Sequence, residues 1–458
     1  MIQIQEKPEV SYLNQLLNQV TGSLPVPVSF PLERNIAEQL QNIRDNAASW
    51  VKELAIPTRR HEDWRFTDLS ALLELPFQAA TAVELSREEI SPLILPEVKG
   101  TRLVFVNGFY SPQLSCLDNL PDGVFVGNLG QLDKRLSDKL GNYLTQQPDS
   151  QEVFTALNTS SLVDAAVVWV HQNQVIDTPI HLLFISLSSS QPVTSQPRIL
   201  IVAEPGSKAT VIEHYATANI LGCSDRTQKT PYFTNTVAEL WVGDNAELQH
   251  TRLQRELASS FHIGRTVVSQ GRDSRYTGNT ISLGAKLSRH NFDIHQTAAG
   301  TETQLNGLTL VNGQQVADTH SAVFLNHPHG VINQLHKAIV DDRAHGIFNG
   351  RIVVPQAAQM TDATQLNRNL LLSAKGRVNT KPQLEIVADN VKCAHGATVS
   401  QLEADEIFYL RSRGLDEKTS RNLLIDAFAA EILDKLPLVS LQQILARCVA
   451  CRTDEGEM

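Results

Sequence analysis

The sequence predicts a mainly β protein: a right-handed parallel β-helix (β-solenoid) core over residues 99–399, flanked by α-helical regions at 1–98 and 400–458. Within the core, short β-rich runs are separated by turn residues such as Gly, Asn and Asp. The residues that follow successive turns lie 28, 29, 13, 28 and 14 positions apart, and intervals near 14 and its double indicate stacked coils. The alternative, a β-sandwich built from hairpins, is too small for a β-rich stretch of about 300 residues. The residues used for this spacing are Ala246, Ser274, Thr303, Val316, Ala344 and Ala358.

The amino-terminal region carries two helical patterns. Apolar residues at helical spacing predict two helices, and three prolines between them interrupt the pattern. Farther along, we expect Glu62 or Asp63 to form a local ion pair with Arg65, held in place by Trp64. The helical residues are Leu13, Leu16, Leu17 and Val20, then Ile36, Leu40, Ile43 and Ala47, with Pro25, Pro27 and Pro31 between the two sets.

The carboxy-terminal region also has helical spacing. Ser400 and Glu403 match a capping box at the start of a first helix, and Gly414 stands where a glycine commonly ends one. A second helix is predicted from Asp416 to Leu436, with Pro437 as its stop. Two amphipathic helices beside a solenoid either cap its open end or offer a face on which a partner docks.

The composition and the missing motifs exclude several classes of function. The 458-residue chain has 39 basic and 49 acidic side chains, so affinity for nucleic acid or an anionic membrane is not expected. Long apolar windows and targeting patterns are absent, which predicts a cytoplasmic protein. Five cysteines, odd in number and far apart except for Cys448 and Cys451, indicate a reducing compartment, and this last pair has no second pair with which to form a zinc site. Motifs for nucleotide hydrolysis or an activated serine are also missing.

Cys393 and His395 form the candidate site. They lie two positions apart in a predicted strand, so a thiol and an imidazole project from the same face and could share a metal or a cluster edge. Two ligands are too few for a closed site, because structural zinc and iron–sulfur clusters usually take four. The other interpretation is ordinary packing of Cys393 in a core. Eight of the fourteen histidines fall between positions 290 and 395, too widely spread to define one site.

Several separated elements, in order along nearly the whole chain, resemble the SufD family. These are Glu62-Asp-Trp-Arg-Phe-Thr67, Phe105-Val-Asn-Gly108, the run from Arg289 to Gly350, Lys392-Cys-Ala-His-Gly-Ala-Thr398 and Phe408-Tyr-Leu-Arg-Ser-Arg-Gly414. The paralogous SufB family carries the main cluster-building cysteine and a Glu directly after the histidine. In this sequence Gly396 follows His395, which is the SufD pattern.

The resemblance implies a non-catalytic scaffold subunit of a SufBCD-type complex for iron–sulfur cluster assembly. Such a subunit pairs with a SufB-like paralogue and binds a SufC-like ATPase; in isolation it could form a homodimer. By the same resemblance, His395 and Cys393 face a transient cluster shared with SufB, and the chain alone binds no cofactor tightly. A reduced flavin in the complex is compatible with the family. The carboxy-terminal helices are expected to dock the ATPase through Phe408, Tyr409, Arg411, Arg413 and Phe428.

Two other functional classes fit the sequence less well. One is a β-solenoid carbohydrate-active enzyme such as a lyase, which would work in a groove lined by acidic and basic residues. The other is a stand-alone metalloprotein that uses the His-rich stretch. Metal analysis of the isolated chain distinguishes this second class, because a complete site holds metal without partners.

Overall fold

A computed structural model describes residues 8–22, 34–98, 100–118, 120–218 and 230–454. Cys223 and the three prolines predicted to separate the first two helices lie outside these ranges. The helices are α1 Pro8–Gly22, α2 Arg34–Glu53, α3 Ser70–Leu73, α4 Arg87–Ile90, α5 Lys134–Leu140, α6 Val153–Ser160, α7 Ala404–Ser412, α8 Glu417–Leu433 and α9 Val439–Asp454. None of these described helices is long and apolar enough to cross a bilayer.

The strands form two groups: shorter strands at the beginning of the solenoid, called the entry strands, and a regular series of longer strands that follows them. The entry strands are β1 Gln78–Ala79, β2 Arg102–Val106, β3 Phe109–Tyr110, β4 Val124–Asn128, β5 Ala166–Val170, β6 Ile180–Ile185, β7 Val193–Ser195 and β8 Arg198–Ala203. The regular series is β9 Lys208–Ala216, β10 Tyr232–Val242, β11 Glu247–Glu256, β12 Phe261–Gln270, β13 Arg275–Gly284, β14 Leu287–Gln296, β15 Glu302–Val311, β16 Val316–Phe324, β17 Val331–Val340, β18 His345–Val354, β19 Asp362–Leu371, β20 Arg377–Ile386 and β21 Lys392–Gln401.

The regular strands build a β-solenoid, as predicted. Even-numbered strands from β8 to β20 pair in one sheet (sheet 1), and odd-numbered strands from β9 to β21 pair in the other (sheet 2). Neighbours within each sheet are parallel, because the chain crosses to the opposite sheet between them. Each coil therefore contains one strand of each sheet, and the coils stack along a single axis.

The length of one coil differs from the shorter predicted interval. Asn279 donates a hydrogen bond of 3.1 Å to Thr251 on the adjacent coil, 28 residues earlier. The interval near 14 is therefore half a coil, one strand with its turn, and its double is the full repeat. The reason is that this solenoid has two strands per coil, so turn residues recur twice in every circuit.

Side chains alternate between the lumen and the outer surface along each strand. One half of the lumen is apolar, with Leu240, Val268 and Ile294 stacked on successive strands of sheet 1. The other half contains polar side chains that hydrogen-bond from coil to coil. The polar runs at Asn279 and Asn306 suggest turns in the sequence, but both residues lie within strands of sheet 2 and on its outer face, where they bond to each other at 2.9 Å and Lys435 donates to Asn306 at 3.2 Å.

The amino-terminal helices cover the outer face of sheet 1. Leu13 and Leu17 of α1 belong to the same apolar cluster as Phe233 and Phe261 of the sheet. The local ion pair predicted for residues 62–65 is wrong. Glu62 instead pairs with Lys381 on the last coil at 2.5 Å, because the segment lies across the sheet and meets strands distant in sequence. Trp64 is stacked under the Arg289 guanidinium, 3.8 Å from the ring centroid.

The carboxy-terminal helices cover the outer face of sheet 2. Ile425, Ala429 and Ile432 of α8 belong to one apolar cluster with Ile281 and Leu308 of the sheet. The helices therefore lie along the side of the solenoid, and the idea that they cap its open end is not supported by this packing. The end of α8 is buried as well, and α9 adds a third helix beyond the predicted proline stop.

The boundaries of these helices agree only in part with the sequence prediction. Gly414 has a φ of +96°, the left-handed conformation expected of a residue just past a helix end. The capping box at Ser400 and Glu403 is wrong, because Ser400 still belongs to strand β21. Glu403 is the residue before α7, and its side chain makes no capping hydrogen bond.

Candidate functional site

The last coil of the solenoid, formed by β20 and β21, is open to solvent. Within the described ranges, each of these two strands pairs with a neighbour on one side only. Neither strand contains a buried residue, whereas every residue of β12 in the middle of the stack is buried. Two adjacent strand edges with unpaired backbone groups therefore face outward, and such edges readily accept strands from another chain.

Cys393 and His395 lie on this open coil. Cys393 pairs in register with Ala363, and His395 pairs in register with Gln365; both partners are buried inside the solenoid. Cys393 packs against the apolar lumen and is half-buried, whereas His395 is exposed. Because strand residues two apart share a face, both side chains lie on the lumen side of a coil that has no further coil above it.

The environment of Cys393 disfavours the thiolate. Burial raises the pKa of the Cys393 thiol, and the nearby Asp362 carboxylate raises it further. A thiol with a raised pKa stays protonated near neutrality, and only the thiolate is a strong metal ligand. His395 needs no such activation, because a neutral imidazole binds metal through its unprotonated nitrogen.

The other histidines of the His-rich stretch do not join His395. His290 and His336 are buried inside the solenoid, His320 bonds to a buried aspartate at 2.9 Å, and His345 bonds to an asparagine at 2.7 Å. Throughout the part of the chain that is described, no group of three or more His, Cys, Asp or Glu could hold a metal ion. Within the described ranges, the open coil therefore offers Cys393 and His395 without a third candidate ligand beside them.

The helix α7 presents the exposed part of the predicted ATPase-docking residues. It contains no buried residue, and Phe408 and Tyr409 are 72% and 57% exposed. Arg413 lies over the Tyr409 ring at 5.2 Å, and Arg411 pairs with Glu417 at 3.5 Å. Large exposed aromatic side chains flanked by arginines are the composition typical of the centre of a protein interface.

Phe428 has a different position from the other predicted docking residues. It is half-buried and packs against the solenoid, with Lys337 of β17 located 4.3 Å from its ring centroid. The Lys337 ammonium also donates to the Phe428 carbonyl oxygen at 2.9 Å and pairs with Glu431. The structure therefore separates Phe428, which attaches α8 to sheet 2, from the exposed aromatic pair of α7.

A buried charged cluster in the lumen was not predicted. Glu213 accepts from His250 at 2.8 Å, and Glu256 is 2.6 Å from His262, which also contacts Arg252 at 2.5 Å. Burial raises the pKa of Glu213, but the hydrogen bond from His250 and the charge of Arg252 lower it more, so this carboxylate stays ionised. The available signal was a set of polar residues at alternate positions of β11, His250, Arg252, Gln254 and Glu256. Thr251 and Arg255 between them are polar as well, so the pattern does not show which face points inward.

The fold and the site together define a β-solenoid protein with a thiol and an imidazole on one face of its uncovered last coil. The chain matches the family description "SUF system FeS cluster assembly, SufBD core domain" over residues 184–428 and "SufBD protein N-terminal region" over residues 29–182. The chain belongs to the SufBD family of iron–sulfur cluster assembly proteins.

Individual relatives agree with this assignment. An iron–sulfur cluster assembly SufBD family protein of Synechocystis is 50% identical, over 90% of this chain and 91% of its own length. The iron–sulfur cluster assembly protein SufD of Escherichia coli is 34% identical, over 86% of this chain and 88% of its own length. Protein ABCI7, chloroplastic, of Arabidopsis thaliana is 35% identical, over 87% of this chain and 83% of its own length. The resemblance found in the sequence is thereby confirmed.

Proposed function

We propose that this chain is a non-catalytic scaffold subunit that pairs with a SufB-like paralogue and binds a SufC-like ATPase during iron–sulfur cluster assembly. The observation that carries the proposal is the open coil of β20 and β21, which bears Cys393 and His395 at its lumen face. A complete metal site would need no such opening, whereas a site shared between two chains needs one.

The geometry of the open coil supports pairing with a paralogue. Both sheets end there together, so a second solenoid can extend β20 and β21 at the same time through backbone hydrogen bonds. A paralogue with the same two-stranded coil presents two edges at a matching separation. Two copies of this chain could pair in the same way about a two-fold axis, which would give a homodimer when the paralogue is missing.

The nascent iron–sulfur cluster would be assembled at this interface. His395 would offer one imidazole ligand from this chain, and the partner would supply the remaining thiolates, since clusters usually take four ligands. Cys393 would contribute only after the partner brings a positive charge or a metal close enough to favour its thiolate. We expect a cluster whose ligands are divided between two chains in this way to be bound transiently. A reduced flavin elsewhere in the complex remains part of the proposal by resemblance only.

Docking of the ATPase is proposed at α7. Phe408, Tyr409, Arg411 and Arg413 are its exposed candidates, and Phe428 holds the adjoining helix on sheet 2. The helix α7 adjoins α8, which covers the outer face of sheet 2 away from the lumen, so ATPase binding and cluster assembly would use separate surfaces. Nucleotide-driven movement of the ATPase would then be transmitted through α8 to the coil strands that it covers.

The test is reconstitution of the complex with His395→Ala. Because this side chain is exposed and lies on the open coil, the subunits should still assemble, while iron and sulfide content should fall about 10-fold or more. Visible absorption and iron analysis measure the cluster, and gel filtration measures assembly. Thr398→Ala is the matched control, since Thr398 is exposed on the same strand but on the opposite face. Normal cluster content in the His395→Ala complex would contradict the proposal.

One structural feature is compatible with the alternative function, a carbohydrate-active enzyme. A cavity of about 460 Å³ on the outer face of sheet 1 is lined by acidic and basic side chains. Its main cations are already paired: Arg265 with Asp293 at 2.9 Å, and Lys381 with Glu62 at 2.5 Å. Incubation with polysaccharides and assay for new reducing ends or unsaturated products would decide this alternative; a positive result would favour it over the scaffold.

A further inference from the structure

A directional chain of side-chain hydrogen bonds runs through the lumen toward the open coil. The Gln334 amide nitrogen donates to Ser321 Oγ at 2.8 Å, and the Gln365 amide nitrogen donates to Gln334 Oε1 at 2.8 Å. Each glutamine therefore directs its donor inward, away from the open end. The chain ends in an acceptor, Gln365 Oε1, which is buried and has no hydrogen-bond partner.

The free acceptor lies one coil below His395. Gln334, Gln365 and His395 occupy successive in-register positions on β17, β19 and β21. Neighbouring strands are about 4.8 Å apart, so the side chains of this column are adjacent. Gln365 is 1% exposed, and an unpaired carbonyl oxygen at such a position is uncommon in native proteins.

The orientation of Gln365 is built into the coil. A Cβ added at Gly350 on the facing strand would lie 2.3 Å from Gln365 Nε2, so only glycine leaves room for this amide. The hydrogen bond to Gln334 then determines which end of the amide points inward. Gln365 Oε1 therefore lies on the other side of the amide, where no described residue donates a hydrogen bond to it.

We infer that Gln365 is a positioning residue for His395. When the partner closes the coil, Gln365 Oε1 accepts the N–H of one ring nitrogen of His395, and the other nitrogen then carries the lone pair that faces the cluster iron. An amide oxygen only accepts, so it selects a single neutral tautomer of the ring. Metal-binding histidines commonly donate their second ring N–H to such an acceptor. The inference rests on the proposed role of His395 as a ligand.

The experiment uses the full chain, labelled with ¹⁵N-histidine, in the cluster-free complex with unlabelled partner subunits at one fixed pH. The His395 ring signals are assigned by their loss in His395→Ala. In the unmodified complex one tautomer should predominate. In Gln365→Met, which removes the acceptor at nearly equal volume, both tautomers should be populated, and iron loading should fall about 10-fold.

Two further variants separate positioning from stability. Gln365→Glu retains an acceptor, and its buried neutral carboxyl can donate to Gln334 in place of the amide, so it should keep the single tautomer. Asn367→Leu removes an equally buried lumen amide that is in register with Ala397, so it should leave the His395 tautomer unchanged. These two variants keep the test decisive if Gln365→Met folds poorly, because a mixed tautomer in Gln365→Glu would overturn the inference.

The results also separate this inference from the proposed function. If His395→Ala loses the cluster while Gln365→Met keeps both the single tautomer and normal loading, then Gln365 has no positioning role and the proposed site stands. If His395→Ala retains normal loading, then His395 is not a ligand and both proposals are overturned. A mixed tautomer together with reduced loading, found only in Gln365→Met, supports the inference.

Discussion

At the scale of single residues, Cys393 and His395 are neighbours with different surroundings. Cys393 packs on the apolar lumen, where burial and Asp362 raise the pKa of its thiol, whereas His395 is exposed and in register with a buried glutamine. The same face of one strand thus holds a thiol that is unfavourable as a ligand and an imidazole that is available as one. The two should therefore contribute unequally to cluster assembly.

The prediction at this scale concerns Cys393→Ser. The change keeps the size of the side chain and removes the sulfur, so the reconstituted complex should keep more than about half of its cluster content, against a loss of about 10-fold for His395→Ala. Iron and sulfide analysis of both complexes, prepared side by side, measures the difference. An equal loss of iron and sulfide in the two variants would mean that Cys393 contributes to cluster binding as much as His395 does.

At the scale of elements, α7 and α8 differ in how much of their surface is buried. The helix α7 has no buried residue and exposes two aromatic side chains, whereas α8 buries Ile425, Ala429 and Ile432 against sheet 2. Phe428 belongs to the second group because Lys337 holds its ring and its carbonyl oxygen. Binding and stability should therefore respond to different substitutions in the two adjoining helices.

We expect Phe408→Asp to reduce recovery of the ATPase subunit in a pull-down and to change the free energy of unfolding by less than about 0.5 kcal/mol, because the residue is exposed. Phe428→Asp should instead destabilise the chain by about 1–3 kcal/mol, since it places a carboxylate against an apolar cluster. Urea unfolding and the pull-down are measured on both variants. Normal ATPase recovery with Phe408→Asp would exclude this face as the docking site.

At the scale of the whole molecule, the solenoid keeps several buried histidines neutral: His290 and His336 inside the lumen, and His181 and His214 on the outer face of sheet 2. Burial lowers the pKa of His181 to about 3 and that of His336 to about 4, and it holds the pKa of His214 and His290 well below the ordinary value. The unfolded chain takes up protons at these positions below about pH 6.5, and the folded chain does not. Their contribution to stability is therefore present above pH 6.5 and is lost as the pH falls. Asp164, whose pKa burial raises to about 6, acts in the opposite direction but is one group.

The corresponding prediction is a fall in stability between pH 7 and pH 5, measured by urea unfolding of the isolated chain. Each buried histidine contributes about 1.4 kcal/mol per pH unit below 6.5 until its folded pKa is reached. His336→Gln should reduce the slope by about that amount, whereas His61→Gln, at an exposed position, should leave it unchanged. A slope that is the same in all three proteins would show that His336 is not neutral in the folded chain.

The sequence alone was sufficient for the β-solenoid, the flanking helices, the family and the position of Cys393 and His395 on one face of a strand. These features depend on local regularities: turn residues that recur with each half coil, apolar residues at helical spacing, and two ligand types two positions apart on a strand. Gly414 at the end of α7 was predictable for the same reason, since the left-handed conformation at a helix end favours glycine. The capping box failed because strand β21 extends past Ser400, and pairing with β19 overrides a local helix signal.

Only the tertiary structure decided which side chains meet. Glu62 pairs with Lys381 across 319 positions of sequence, and Phe428 packs against sheet 2, apart from the exposed aromatic pair of α7. The column of Gln334, Gln365 and His395 exists because successive coils are stacked in register. Its members are about thirty residues apart in sequence, and the exact step depends on the length of the turns between the strands. A strand pattern shows that a side chain points inward but carries no information about its neighbour on the next coil. That neighbour depends on the register of parallel strands, and register is a property of the folded stack.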